Sequence, residues 1–254
     1  MSNGKSYIIL DTGLKMNTKY LTENVAYFLG GIYASEEKVS VSNEHYRIAP
    51  VRYNYSTATE LEIAEHFELV KKIASPVNGT TVMANNIRNT SWDSGKNRMP
   101  GFSTFFKVAT LDELVDLIPS LKEALLSSSW DVKRAFLVGI FDGRSSADID
   151  KKTYNVRMLS LDCITDEVGS FLSEIISSCG IAYNYNTHRD RLEGGRPRNP
   201  QLRIRDVGYF MSHIGLISPR RVNLMRTAYS HNFANVQVAN NSDVLLGLKT
   251  IHVG

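Results

Sequence analysis

Two apolar segments about a hundred residues apart carry one pattern, and a repeat at that distance confines the chain to folds assembled from two like units. Tyr27-Phe28-Leu29-Gly30-Gly31-Ile32-Tyr33-Ala34-Ser35-Glu36 is matched by Ala135-Phe136-Leu137-Val138-Gly139-Ile140-Phe141-Asp142-Gly143-Arg144. Each reads as an apolar helix with small residues at the same point and polar groups at its end. Glycine on such a surface lets two backbones approach where a larger side chain would hold them apart.

The elements that follow each segment come in the same order. Asn17 to Glu36 opens on a cap-type residue and has helical apolar spacing, so a helix is expected there. Lys38 to Asn43 and Arg47 to Tyr55 alternate as a strand pair. Thr57 to Ala74 predicts a second helix, ended by Pro76 and Gly79, and Thr80 to Ile87 and Gly101 to Ala109 predict two more strands. Leu111 to Leu126 closes the half with a helix. The second half repeats this: helix Val132 to Gly143, strands Ala147 to Lys151 and Asn155 to Asp162, and a helix from Thr165 to Cys179 stopped at Gly180. Strands Ile181 to Arg189 and Gln201 to Arg205 then flank an Arg-, Gly- and Pro-rich loop, and a helix begins at Val207 and runs to Ile217. Each half is αββαββα. The expected division is 1–128, 129–229 and a C-terminal extension, 230–254, packing on the second half.

Composition excludes several classes. A chain of 254 residues, 43% hydrophobic and 22% charged, has the make-up of an ordinary globular protein with a sizeable core. Its apolar runs fall short of the ~20 residues a membrane helix needs, and no basic region followed by an apolar core opens it. A cytoplasmic or other intracellular setting is therefore expected. Cys163 and Cys179 are the only cysteines and the six histidines are scattered, which gives no zinc or disulfide framework. Asn78-Gly79-Thr80 and Asn89-Thr90-Ser91 match a glycosylation pattern but read as polar loops. The net charge is only +3, yet eight arginines and no lysine lie between Ile181 and Arg221, against Asp190, Glu193 and Asp206. Such a local basic surface is the footprint of a polyanion partner.

With the paired segments and the doubled element order, the chain resembles the LAGLIDADG homing endonucleases in their single-chain, two-motif form. Leu29 to Glu37 and Leu137 to Ser145 occupy the nine motif positions, and the likeness covers roughly residues 17 to 229. Ile214-Gly215-Leu216-Ile217-Ser218-Pro219-Arg220-Arg221 resembles the family's ending of the second half. The resemblance implies an α+β monomer with internal pseudo-twofold symmetry: motif helices at the centre and two curved antiparallel sheets forming a saddle over double-stranded DNA. Strands that read DNA this way turn alternate side chains to base edges and pack the others on the helices behind.

That alternation nominates DNA-facing residues. In the first half they are Ser40, Ser42, His45, Arg47, Arg52 and Asn54, with Arg88 and Lys96 in the long loop. In the second they are Lys152, Arg157, Asn184, Asn186, His188, Arg203 and Arg205, with Arg196 and Arg198 in the loop. Arginine can address guanine bidentately and asparagine adenine, although phosphate contact is the commoner use of a basic group.

The resemblance also implies an acid at the eighth motif position of each helix, together holding divalent cations such as Mg²⁺ for phosphodiester hydrolysis. Glu36 stands there in the first motif and Arg144 in the second. Asp142 is the nearest acid in the second copy and the candidate second metal ligand, with Asp148 and Asp150 weaker ones; its other reading is a helix-end residue. Arg144 is a candidate for contact with the scissile phosphate, and Lys107 for a further basic group. Three activities stay open: a metal-dependent homing or restriction endonuclease, a cleavage-deficient DNA regulator or RNA splicing helper, and a strand-nicking variant.

Overall fold

The structure, a computed structural model, describes residues 21–35, 40–42, 45–48, 60–75, 77, 80–85, 101–107, 118–150, 152–153, 156–163, 166–187 and 199–232. In chain order the first half contains α1 (Glu23–Ser35), β1 (Ser40–Ser42), β2 (His45–Ile48), α2 (Glu60–Ala74), β3 (Thr80–Asn85), β4 (Gly101–Lys107) and α3 (Ile118–Ser127). The second contains α4 (Trp130–Arg144), β5 (Ser145–Ile149), β6 (Val156–Asp162), α5 (Asp166–Ser178), β7 (Asn184–Asn186), β8 (Gln201–Ile204), α6 (Val207–His213) and α7 (Pro219–Asn232). The strands form two four-stranded antiparallel sheets of one order, β1-β2-β4-β3 and β5-β6-β8-β7.

α1 and α4 lie at the centre and pack on each other more extensively than any other two elements. Their sequences explain this. Val25 to Gly31 in α1 and Arg134 to Asp142 in α4 are buried without interruption. A helix buried all round belongs inside a core rather than on its surface. Each helix is started by a hydroxyl: Thr22 Oγ1 accepts from Val25 N (3.3 Å) and Ser129 Oγ from Val132 N (3.4 Å). Fully burying side chains such as Leu29, Phe136 and Phe141 contributes about 1.5–3 kcal/mol each. Tyr33 of α1 stacks obliquely on Phe171 of α5 and meets Phe136 edge-on, while Phe141 packs on Phe210 of α6. The second half is thereby pinned to both central helices.

α7 was not anticipated as a helix. Its sequence signal is Ser218-Pro219, a cap-type residue followed by proline at the first helical position, where the missing N–H costs nothing. It runs to Asn232, so the expected boundary at 229/230 falls inside it. α7 packs across the molecule on α2, burying His66 completely. Burial, and then the charge of Arg221, push the His66 imidazole down to about 3, so it is held neutral. Gly215, with φ of +72°, makes the reversal out of α6: its N–H bonds back to Phe210 O at 2.9 Å, and the left-handed backbone suits glycine.

Candidate nucleic-acid interface

The β5-β6-β8-β7 sheet has one apolar and one polar face, and pairing register decides which residue is on which. Leu159, Leu161, Leu202 and Ile204 alternate into the core, all at most 2% exposed. The intervening positions pair with one another: Ser146 with Ser160, Ser160 with Arg203, Asp162 with Gln201, Asn184 with Arg203, and Asn186 with Gln201. These share the face away from the helices. Ser146 and Ser160 hydroxyls bond at 2.9 Å, Arg203 Nε donates to Gln201 Oε1 at 2.7 Å, and Gln201 Nε2 donates to Asp162 Oδ1 at 3.0 Å.

Asn184, Asn186 and Arg203 are thus brought together as expected, with Arg205 exposed just beyond β8. Arg157 is not. It stands unpaired where the β5–β6 register shifts, opposite the Asp148–Ile149 step, and its exposed guanidinium pairs with Asp150 at the β5–β6 turn. Asp150 also accepts from the N–H groups of Lys152 and Thr153, and these bonds with Arg157 hold its carboxyl well below the usual range. Asp150 is thereby the organiser of a turn, and Lys152 lies in that turn rather than on the sheet. His188, Arg196 and Arg198 fall outside the described residues. Gln201, Asp162, Ser146 and Ser160 were overlooked. The alternation Leu159-Ser160-Leu161-Asp162 and Gln201-Leu202-Arg203 was the signal for them.

In the other sheet, register pairs Ser40 with Arg47, Ser42 with His45, and His45 with Lys107. All five positions therefore share one face, with Lys107 at the end of β4 paired to His45. Arg52, Asn54, Arg88 and Lys96 lie outside the described residues, as does Glu36.

At the centre, the two helices touch through glycine. A Cβ on Gly30 would lie 2.2 Å from Phe136 O, and one on Gly139 would lie 2.0 Å from Tyr27 O. The contact is reciprocal: Ile140 N stands to Gly30 as Gly31 N stands to Gly139. This packing matches Gly30 with Gly139, whereas aligning the two motifs by sequence matches Gly31 with Gly139. The physical reason is Val138, which the sequence alignment sets opposite Gly30. Its branched side chain cannot occupy a place where even a methyl carbon is excluded, so the crossing settles on the two positions without one. In the packed register the counterpart of Arg144 is Ser35, not Glu36.

The end of α4 is equally specific. Asp142 is wholly buried, and its carboxylate accepts from Ile217 N at 3.2 and 3.1 Å and from Ser218 N at 3.1 Å. Burial pushes its pKa up to about 6, opposed by the Ser218 N–H, the charge of Arg221 and the Ile217 N–H. The carboxylate thus anchors the entry to α7. Arg221 reinforces this joint, its Nη1 donating to the carbonyl and hydroxyl oxygens of Ser145. The expectation of Asp142 as a metal ligand meets a side chain already committed to backbone donors. Arg144 lines a small crevice with Tyr33, Asp162 and Cys163. Burial first, with the Asp162 charge adding to it, pushes the Cys163 thiol up to about 11, so it stays protonated and unreactive.

Among the described residues, which do not include Glu36, those that would hold a divalent cation are not assembled. A cation's ligands should be several oxygen donors, while the second motif offers Arg144 and a buried, fully bonded Asp142. Among the described residues no group of three His, Cys, Asp or Glu side chains converges. The second motif therefore does not supply its half of a symmetric two-metal centre.

The fold is that of the LAGLIDADG homing endonucleases. The structure of I-DmoI in complex with DNA and Ca superposes with a TM-score of 0.52 at 14% identity, covering 82% of this chain and 99% of that one. I-DmoI in complex with DNA and Mn gives 0.50 at 12% identity, over 76% and 97%. Mesophilic variants of the same homing endonuclease give 0.51 at 14%, over 77% and 97%. No family model and no curated protein sequence matches the chain. No helix among the described residues is long and apolar enough to cross a membrane.

Proposed function

We propose that the protein is a sequence-selective DNA endonuclease: a monomer whose two halves, related by a pseudo-dyad between α1 and α4, lay their sheets along the major groove on either side of a central phosphodiester bond. The observation that carries this reading is the pair of like-ordered sheets, each with a face gathering basic and amide positions: Arg47, His45 and Lys107 on one, Arg203, Asn184 and Asn186 on the other. Phosphate contacts from arginine and lysine would supply affinity, and base-edge contacts sequence preference. Glu36 is the candidate acid of the first half. Arg144 is the candidate for stabilising phosphate charge at the helix end. The fold's relatives in complex with DNA and Ca or Mn support a divalent-cation requirement, with Mg²⁺ the candidate in an intracellular setting.

A second reading has its own observation. Arg144 at the acid position and Asp142 bonded to Ile217 and Ser218 favour a protein that binds its DNA site without cutting it. One experiment separates the two. The protein is incubated with a pooled random-duplex library in Mg²⁺, Mn²⁺ or EDTA, then assayed for cut ends and for retained duplexes. Metal-dependent cut ends establish the endonuclease; selective retention with no cutting in either metal establishes the second reading. Failure to retain any duplex overturns both.

A further inference from the structure

Within the polar face of the second sheet, one arginine is held by a two-residue relay. Arg203 Nε donates to Gln201 Oε1 at 2.7 Å, and Gln201 Nε2 donates to Asp162 Oδ1 at 3.0 Å. Asp162 and Gln201 are direct cross-strand partners, and Arg203 is the next residue of β8 on the same face. The chemistry fixes every orientation in the chain. Arginine can only donate and an ionised carboxylate only accept, so the Gln201 carboxamide has one arrangement, oxygen to Arg203 and nitrogen to Asp162. Gln201 is itself buried, which leaves its side chain little room for another rotamer.

We propose that Gln201 and Asp162 are positioning residues for Arg203, and that they present the end of its guanidinium to one guanine in the major groove. With Nε engaged, the two terminal nitrogens remain as a parallel pair of donors. That pair matches the O6 and N7 acceptors of guanine. A free arginine must give up rotamer freedom on binding; one held at Nε has given up much of it beforehand. Asp162 would repel a nearby phosphate, so its place on this face makes sense as the terminus of the relay. The inference rests on duplex binding by the sheets, which both readings above share.

The test is base preference. Binding to a randomised duplex pool is sequenced for wild type, Arg203→Lys, Gln201→Ala, Gln201→Met, Asp162→Asn and the control Arg205→Ala, each checked by circular dichroism. Wild type should prefer guanine at one position by roughly tenfold or more. Arg203→Lys keeps the charge and should erase that preference alone, leaving the salt dependence of binding unchanged. Gln201→Met, which preserves shape, should lose most of the same preference and add nothing when combined with Arg203→Lys. Asp162→Asn should weaken it less. Arg205→Ala should reduce affinity for all sequences alike. A preference unchanged in Gln201→Met and Gln201→Ala overturns the relay. So does a loss spread evenly over all positions. A wild type that retains no duplex overturns the DNA reading beneath it.

Discussion

The two central helices are alike in how they pack and unlike in the sequence at their ends, Glu36 in one copy and Arg144 in the other. α1 and α4 each give a glycine to the crossing, in contacts that mirror one another between Gly30, Phe136, Gly139 and Tyr27. The end of α4 has become a structural joint: Asp142 caps the approach to α7, Arg221 grips Ser145, and Arg144 enters a crevice beside Asp162. The difference teaches that the repeated pattern is maintained by packing. Close helix contact needs small residues and sets no condition on the charge that follows, so chemistry at the helix ends can diverge while the crossing persists.

The largest effect should come from breaking the likeness. Gly139→Ala and Gly30→Ala each place a carbon about 2 Å from a backbone carbonyl oxygen of the facing helix, which only a separation of the helices can relieve. Each should cost about 3 kcal/mol or more, or abolish cooperative unfolding, because overpacking at a rigid backbone has no side chain to yield. Gly208→Ala is the control. Its Cβ would meet only Asp206 Oδ1 at 3.7 Å, and inside α6 alanine should be neutral or stabilising by up to ~1 kcal/mol. Thermal melts of the three variants check this. Gly30→Ala tolerated while Gly31→Ala is not would return the crossing to the register of the sequence alignment.

Next in size is the difference in charge. Glu36→Gln should reduce cutting about a hundredfold, near 2.7 kcal/mol of transition-state stabilisation, with duplex binding retained. Arg144→Glu, which gives the second helix an acid, should raise the ratio of double-strand breaks to nicks on a supercoiled plasmid. Cutting that survives Glu36→Gln moves the chemistry off the repeated helices. The packed register makes this sharper, since it sets Ser35 rather than Glu36 against Arg144.

Much of this comparison was legible in the sequence, and what escaped did so for physical reasons. Periodicity located α2 and the starts of β3 and β4, because those segments have clear apolar spacing and sharp terminators. α7 lies beyond the expected helix Val207 to Ile217, and its signal is short: Ser218 followed by proline at the first helical turn. The faces of the second sheet were legible in principle from alternation; the register shift that leaves Arg157 unpaired was not, because no side-chain pattern marks it. Asp142 could not be read. Its partners, the N–H groups of Ile217 and Ser218, lie some 75 residues on and are backbone atoms that no side-chain pattern announces.

Asp142 gives the third effect. Asp142→Ala leaves two N–H groups in the core without an acceptor and should cost about 2–3 kcal/mol, measured by urea denaturation. The wild-type residue also makes stability depend on pH. Its carboxyl is pushed up to about 6 from an ordinary 3.8, so between these values the folded state binds more protons than the unfolded. Stability relative to Asp142→Asn should therefore fall as pH rises from about 4 to about 6 and level off above. A difference that grows in the opposite direction would show the carboxylate ionised and stabilised in place by its donors.

The smallest effect separates two arginines of one sheet. Arg203 lies on the face that pairs Ser160 with Asn184 across β8, whereas Arg157 stands unpaired at the β5–β6 register shift and is drawn to Asp150 at the turn. Charge alone would treat them as equivalent contributors to DNA affinity, since each counterion displaced by a phosphate contact adds to the salt dependence. Their places in the sheet treat them differently. Arg157→Ala should leave both the base preference and the slope of affinity against salt unchanged, while Arg203→Ala alters both. Exposed ion pairs such as Arg157–Asp150 contribute little to folding, so the variant should also melt like wild type. A reduced slope in Arg157→Ala would mean that the hairpin reaches the phosphate backbone, and the interface would then include the turn as well as the sheet face.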